Sequence, residues 1–427
     1  MYGVARLAHA MGFQISGADA RQNGNTATLK SMGIPLYGED EDLPKGTTAV
    51  VYSLAVPASH PRRKEAEQRE IPCLDRAAFF GILMHAFPKR AAVAGSHGKS
   101  STTAMCAEIL EEAGFAPTVV SGASLRRGED SFREGGGELL LFEACEYKDA
   151  FLSFCPTHAL VLDVSWEHTD YFADYEATLR SFRTFLRGES VEVSIAPHGL
   201  LPADLSFGEG GEYTAEERRE TREGSLFTLC RSKKPLGRVA LSALGSYQIE
   251  NALGAAALCA SLGVPDAAIV KGLSSYSGIP RRMEKRGYLR GAPLYLDFAH
   301  HPKELFCALR TASHFGRPLA VVFEPHTYSR TKTFFEEYVS VLRLPLFSGV
   351  LPVYAAREAS DPTVSSSLLA SRAGITFLSD YAHAARFLTQ AAGKGCTLLL
   401  IGAGGVEEVL SYLTLTVPEG LDPLYGV

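Results

Sequence analysis

No stretch of the sequence approaches the roughly 20 apolar residues that span a bilayer, and its first residues lack the charged start and apolar block of an export signal. Membrane insertion is therefore not expected, and a cytoplasmic location is. Basic charge is not in excess either: 42 lysines and arginines against 48 acidic residues leave a formal net charge of -6, which argues against a nucleic-acid partner. The 8 cysteines (Cys73, Cys106, Cys145, Cys155, Cys230, Cys259, Cys307 and Cys396) include no Cys-x-x-Cys pair, and several sit in apolar runs. They read as buried thiols of a reducing compartment. What is present is ordinary for a globular protein, with 46% hydrophobic and 21% charged residues. A chain of 427 residues exceeds one core, and roughly two to four domains are expected.

The most informative stretch is Ala91-Ala92-Val93-Ala94-Gly95-Ser96-His97-Gly98-Lys99-Ser100-Ser101, an apolar strand, a glycine-containing turn and a Lys-Ser start to a helix. Glycines let backbone N–H groups turn inward on an anion, the helix N-terminus adds positive potential, Lys99 supplies a point charge and a hydroxyl can ligate Mg²⁺. Val93 stands where the common phosphate-loop pattern has a further glycine, so this is a variant whose first flexible point is Gly95. A nucleoside triphosphate site is expected here, with Lys99 exposed to ligand and outside any core.

Along the chain, Val4, Leu7 and Ala8 recur at helical spacing, and the run Phe13 to Asp19 follows as a short strand ending in a carboxylate. Ala49 to Ser53 reads as a buried strand with a loop at its carboxyl end, where open parallel sheets bind ligands. Leu139 to Phe142 runs into Glu143 and Glu146, and His158 to Val164 runs into Glu167, His168, Thr169 and Asp170. Two neighbouring strands thus deliver carboxylates and a histidine to one edge, a set that can complete a Mg²⁺ shell. Residues 190–239 read as solvated hairpins or loops. The basic, Gly- and Pro-punctuated stretch Ser277 to Gly287 marks a domain boundary near Gly287. Beyond it the pattern gives strands at Pro293 to Leu296, Leu319 to Phe323 and Thr397 to Ile401, and helices at Pro302 to Phe315 and Thr331 to Leu342, a further doubly wound sheet.

The quoted pieces, in this order, resemble the Mur ligases, most closely those that add L-alanine. Gly95 to Ser100 resembles their Gly-Thr-His-Gly-Lys-Thr loop, Glu143 to Tyr147 their Glu-Ala-x-Glu segment, and Glu167 to Asp170 their Asp-His-x-Asp segment. Arg281-Arg282, Asp297 to Pro302 and Pro325 to Thr331 resemble the arginine pair, the Asp-Tyr-x-His-His-Pro stretch and the Pro-His-x-Tyr-x-Arg-Thr stretch. The resemblance implies an α/β protein of three domains: residues 1–88 for the UDP-sugar, 89–288 for ATP and 289–427 for the amino acid. The first would be a Rossmann-like sheet lacking its first strand, the second a phosphate-loop ATPase sheet, the third a doubly wound dinucleotide-fold-like sheet. Met1 would correspond to an internal methionine of the family's first motif, with the natural start some 10 to 20 residues upstream, a rough span for one strand and its turn.

The implied reaction is ATP-dependent joining of L-alanine to the lactyl carboxylate of UDP-N-acetylmuramate through an acyl phosphate, by a monomer or weak dimer. Carried over by position, Gly95, Ser96, Gly98, Lys99, Ser100, Ser101, Asn251, Arg282 and Asp297 would bind ATP, with Asp297 at the ribose. Ser100, Glu143 and His168 would ligate metal. Asp19 and Ser53 would face the UDP-sugar, and His300, His326 and Arg330 the amino acid, with Lys99, His168, His300 and Arg330 serving catalysis. Departures from the family pattern are Asp163 for asparagine, Glu167 for aspartate, Phe298 for tyrosine, Thr327 for arginine, and Tyr247-Gln248 for a His-Asn pair near adenine. A tripeptide-recycling member and a non-catalytic binding relative are the alternatives.

Overall fold

Parallel strands linked by helices build both halves of the chain, as the alternating apolar pattern predicts. The computed structural model describes residues 1–19, 23–38, 41–126, 129–169, 171–356 and 358–416. These residues divide into two units, one formed by Met1–Glu216, Thr228–Val239 and Glu250–Ser275, the other by Glu217–Phe227, Ala240–Ile249 and the chain from Tyr276 onward.

Unit 1 begins with the helix Tyr2–Ala10, whose buried residues are Val4, Leu7 and Ala8, the three picked out by spacing. They pack with Phe80, Phe142 and Phe154 in one core. The first strands are short: β1 (Gly17–Ala18) pairs in parallel with β2 (Leu36–Tyr37), and β3 (Val50–Tyr52) with β4 (Cys73–Asp75). Among the described residues they make two separate ladders, not the single Rossmann-like sheet expected. The expected buried strand at Ala49 to Ser53 is only half-buried, with the Arg63 guanidinium 3.8 Å from the Tyr52 ring.

The ten-stranded sheet, most of whose residues belong to unit 1, contains β5 (Lys89–Ala94), β6 (Thr118–Val120), β7 (Phe132–Arg133), β8 (Leu139–Glu143), β9 (His158–Val161), β10 (Val193–Pro197), β11 (Leu205–Phe207), β12 (Tyr213–Glu220), β13 (Ser225–Arg231) and β14 (Lys234–Leu241). Its order is β14-β13-β12-β11-β10-β9-β5-β8-β6-β7. Central β5 runs parallel to β8 and β9, with Val93 opposite Glu143 and Ala94 opposite Val161. That register brings the ends of three strands to one sheet edge. Most of the region from 190 to 239 is strand, with β10 to β14 successive neighbours in the sheet, so that of the hairpins or loops expected there the paired strands are found. Phe227 and Leu229 are buried on β13 at strand spacing, while the charged end of β12 lies exposed and hides the pattern.

Unit 2 carries β15 (Glu284–Leu289), β16 (Ala292–Asp297), β17 (Leu319–Glu324), β18 (Phe347–Val350), β19 (Thr376–Phe377) and β20 (Thr397–Gly402), ordered β15-β16-β20-β17-β18-β19. β15 and β16 form an antiparallel hairpin, so the continuous part of this unit starts ahead of the boundary expected near Gly287. The remaining pairs are parallel. Leu305, Leu309, Tyr338 and Leu369 cover one face, and Leu388, Val406 and Val409 the other. The helix expected from Thr331 to Leu342 is two helices, Tyr328–Thr333 and Phe335–Leu342, broken where Phe334 leaves helical geometry at φ -108° and ψ 28°.

Candidate active site

The turn after β5 is made by two glycines in backbone regions that L side chains avoid: Gly95 at φ +141° and Gly98 at φ +81°. A Cβ on Gly98 would sit 2.4 Å from the Asn251 Oδ1, so Asn251 abuts the loop directly. Gly98 then caps the helix Lys99–Glu112, with Ser100 half-buried and Ser101 buried in its first turn. The loop is fastened to the segment after β9: Ser96 N donates to Asp163 O at 3.2 Å, His97 N to the Asp163 carboxylate at 2.7 Å, and Ser165 N to Ser96 Oγ at 2.8 Å.

Lys99 is not an exposed charge, contrary to expectation. Its ammonium donates to Glu146 Oε2 at 3.0 Å and to Ser96 O at 3.2 Å, and also to Gly95 O. Burial works against the charge on Lys99, but Glu146 outweighs it and raises the ammonium pKa. Burial likewise opposes ionisation of Glu146, only 1% exposed, yet Lys99 and then His168 hold its pKa down to about 2. The two shifts agree, and the pair stays ionised at neutral pH. His168 Nε2 lies 3.4 Å from Glu146 Oε1, its backbone is left-handed at φ 50°, and its ring lies 4.7 Å from that of Tyr147. Strain of that kind persists where surrounding contacts fix it, often at functional sites.

Glu146, Glu167 and His168 each offer a ligand atom, and these atoms lie within 4.8 Å of one another. Two carboxylates and an imidazole in a largely buried cluster fit a hard divalent cation. Of the residues expected at the metal, the structure brings His168 into this cluster. Glu143, at the end of β8, accepts instead from Ser121 Oγ at 2.6 Å and Gly122 N at 2.7 Å. Asp170 lies outside the described residues. From the sequence, Glu146 and Glu167 are only two of several strand-end carboxylates able to complete a Mg²⁺ shell, with no role in the family carry-over, and nothing there points to Asp163 and His97 as partners of the loop. The signal for Glu146 was its offset of three residues beyond the strand end, where the chain turns back towards the loop. Asp19 and Ser53 sit just after β1 and β3, on two different ladders.

Unit 2 gathers a second cluster at the carboxyl ends of β16 and β17. The rings of His300 and His326 lie 6.0 Å apart, and Arg330 Nη1 lies 3.1 Å from His326 Nδ1. Both histidines are pushed down to about 4, His300 by burial against which Glu304 pulls, His326 by burial and then by Arg330. They are neutral at pH 7. No carboxylate among the described residues pairs with Arg330, whose side chain donates only towards His326. Asp297, 3% exposed, accepts from Met283 N and Ala299 N at 2.7 Å each, so its carboxylate oxygens are turned to the backbone. Arg282 lies 3.8 Å from Glu304. In the segment expected near adenine, Tyr247 is half-buried, and its phenol pKa is raised by desolvation and by Asp297.

Three family descriptions match in chain order: "Mur ligase family, catalytic domain" over residues 1–88, "Mur ligase middle domain" over 93–259 and "Mur ligase, glutamate ligase domain" over 281–404. The UDP-N-acetylmuramate--L-alanine ligase of Agathobacter rectalis is 33% identical over 96% of this chain and 94% of its own. The chain belongs to the Mur ligase family. A second relative, the enzyme of the same name from Aquifex aeolicus, is 32% identical over 96% of this chain and 93% of its own. In fold, this Mur ligase matches the UDP-N-acetylmuramate-alanine ligase MurC of Thermotoga maritima with a TM-score of 0.79 at 21% identity, covering 96% and 95% of the two chains. A murein peptide ligase from Psychrobacter arcticus follows at 0.70 and 20% identity, covering 97% of each. The three-domain α/β Mur-ligase fold is thus that of this protein. Its first two matched regions begin in unit 1, and the third lies in unit 2.

Among the described residues, no helix is long and apolar enough to cross a membrane. Four of the eight cysteines (Cys106, Cys230, Cys259 and Cys396) are buried, and none of the eight is in a disulfide.

Proposed function

We propose that this Mur ligase joins L-alanine to the lactyl carboxylate of UDP-N-acetylmuramate using ATP, a cytoplasmic step in making the peptidoglycan precursor. The observation that carries the reading is the array around the glycine loop, with Lys99 and His168 both against the Glu146 carboxylate at the N-terminus of the helix Lys99–Glu112.

A carboxylate resists attack by an amine until one of its oxygens is phosphorylated. The lactyl oxygen attacks the terminal phosphorus, ADP leaves, the alanine nitrogen attacks the acyl carbon, and inorganic phosphate departs as the nitrogen gives up a proton. The phosphoryl step needs positioning and charge stabilisation more than covalent help. Gly95, Ser96, Gly98, Lys99, Ser100 and Ser101 direct N–H, ammonium and hydroxyl groups at the phosphates. Asn251 and Arg282 complete the nucleotide contacts. Glu146, Glu167 and His168 would hold Mg²⁺, with the Ser100 hydroxyl and Glu143 as further donors. When bound, the ion neutralises phosphate charge.

Asp19 and Ser53 belong to the UDP-sugar end. Arg330 offers its planar fork to the alanine carboxylate, while His300 and His326 act as neutral hydrogen-bonding groups. The intended division of labour is residues 1–88, 89–288 and 289–427 for UDP-sugar, ATP and amino acid.

Phosphate release from ATP in the presence of UDP-N-acetylmuramate tests this. L-alanine should stimulate it strongly, and glycine or L-serine less. Stimulation by the tripeptide and not by alanine would move the assignment to a recycling ligase.

A further inference from the structure

We infer that Phe298 is a positioning residue that supports the arginine pair and His300 on one aromatic ring, tying the nucleotide end of unit 2 to its amino-acid end. The Cζ atoms of Arg281 and Arg282 lie 4.8 and 5.5 Å from the ring centroid, within cation–π range. The His300 imidazole meets the same ring edge-on, at 5.7 Å and 90°. Phe298 is half-buried and belongs to neither hydrophobic core of the unit, so core packing does not account for it.

The backbone adds to this picture. Arg281 and Met283, on either side of Arg282, both adopt left-handed geometry, at φ 60° and φ 46°. Side chains of this kind stay there only when their surroundings fix them. Phe298 N donates to Arg281 O at 2.7 Å, and Asp297 accepts from Met283 N at 2.7 Å. The Arg281 side chain donates onward to Gly402 O at 2.8 Å and Gly404 O at 3.1 Å. The three-residue segment is therefore stitched to the end of β16 on both sides of Arg282, and the ring of the next residue, Phe298, supports the guanidinium that emerges. Asp297 serves the same clamp, a role different from a contact with ribose.

This inference rests on the reading that Arg282 binds ATP and His300 faces the amino acid. The full chain is assayed as wild type, Phe298→Leu, Phe298→Met and Phe298→Tyr, recording KM for ATP and for L-alanine, kcat and the thermal midpoint. Loss of the aromatic face should raise both KM values by about tenfold in Leu and Met, with little change in midpoint, and Tyr should restore both. A shift in only one KM, an unchanged pair, or a lowered midpoint with unchanged KM would overturn it. In parallel, calorimetric titration with Mg-ATP follows Arg282→Gln, Phe298→Leu and the double variant. The double variant should bind within about twofold of Arg282→Gln alone, and full additivity would contradict the shared support. Absence of alanine-dependent phosphate release in the wild type would sink the ligase reading, while the calorimetric cycle would still decide the Phe298–Arg282 link.

Discussion

Around the glycine loop of unit 1, the buried charges come in matched sets: the Lys99 ammonium sits on Glu146, and His168 approaches the same carboxylate. At the ends of β16 and β17 in unit 2, Arg330 stands beside two histidines kept neutral by burial, with no carboxylate to pair it among the described residues. In the first cluster the lysine already has its carboxylate, and a phosphate must compete with Glu146 for it. In the second, Arg330 is a positive charge without a counter-charge among the described residues, the condition for capturing a small carboxylate. Removing a charge should therefore cost stability in unit 1 and ligand affinity in unit 2.

The largest effect is expected from Lys99→Ala, which leaves the Glu146 carboxylate buried without its cation. Stability should fall by about 3 kcal/mol and ATP turnover by at least about 100-fold, read by denaturant unfolding and phosphate release. An unchanged unfolding midpoint would break the claim that the pair is structural.

Arg330→Ala is the converse. The KM for L-alanine should rise by roughly 30- to 100-fold, as for loss of a charge-assisted pair worth about 2–3 kcal/mol, while stability stays within about 0.5 kcal/mol. A large loss of stability would show that Arg330 is balanced after all.

Acid sharpens the contrast further. A histidine held at about 4 in the fold and near 6.5 when unfolded binds fewer protons folded than unfolded between those values, so stability is intact above about 6.5 and falls as pH drops towards 4. By pH 5 each of His300 and His326 should cost about 2 kcal/mol. Urea melts of the wild type and His300→Asn at pH 7.5 and 5 check this; the variant should lose less on acidification. Glu146, held at about 2, should add nothing over this range.

The smallest effect is Asp297→Asn. It keeps one acceptor for Met283 N or Ala299 N and loses the other, for about 1 kcal/mol, measurable in the same melts.

Much of this was legible in the sequence because it is local. An apolar run, a glycine turn and Gly98-Lys99-Ser100 specify strand, loop and helix within a dozen or so residues, and the parallel neighbours β8 and β9 announce themselves as continuous apolar runs. Which carboxylate faces Lys99 was not legible. Glu143 is still paired in β8 and turns to Ser121 and Gly122, whereas Glu146 lies past the strand, where the chain bends back to the loop. That choice depends on the path of a turn and not on residue type. For Asp297 the hidden part is similar: its strand-end place is readable, but its two bonds to backbone N–H groups of different segments are set by the path of the chain. The strands β11 to β14 were obscured because their charged ends lie in solvent while only alternate residues such as Phe227 and Leu229 are buried.

The most direct measurement is mass analysis of the product formed from ATP, Mg²⁺, UDP-N-acetylmuramate and L-alanine. The account predicts a nucleotide sugar heavier than the substrate by alanine less one water, with one ADP and one phosphate per product. ATP hydrolysis without that adduct, or an adduct formed only with a peptide, would contradict it.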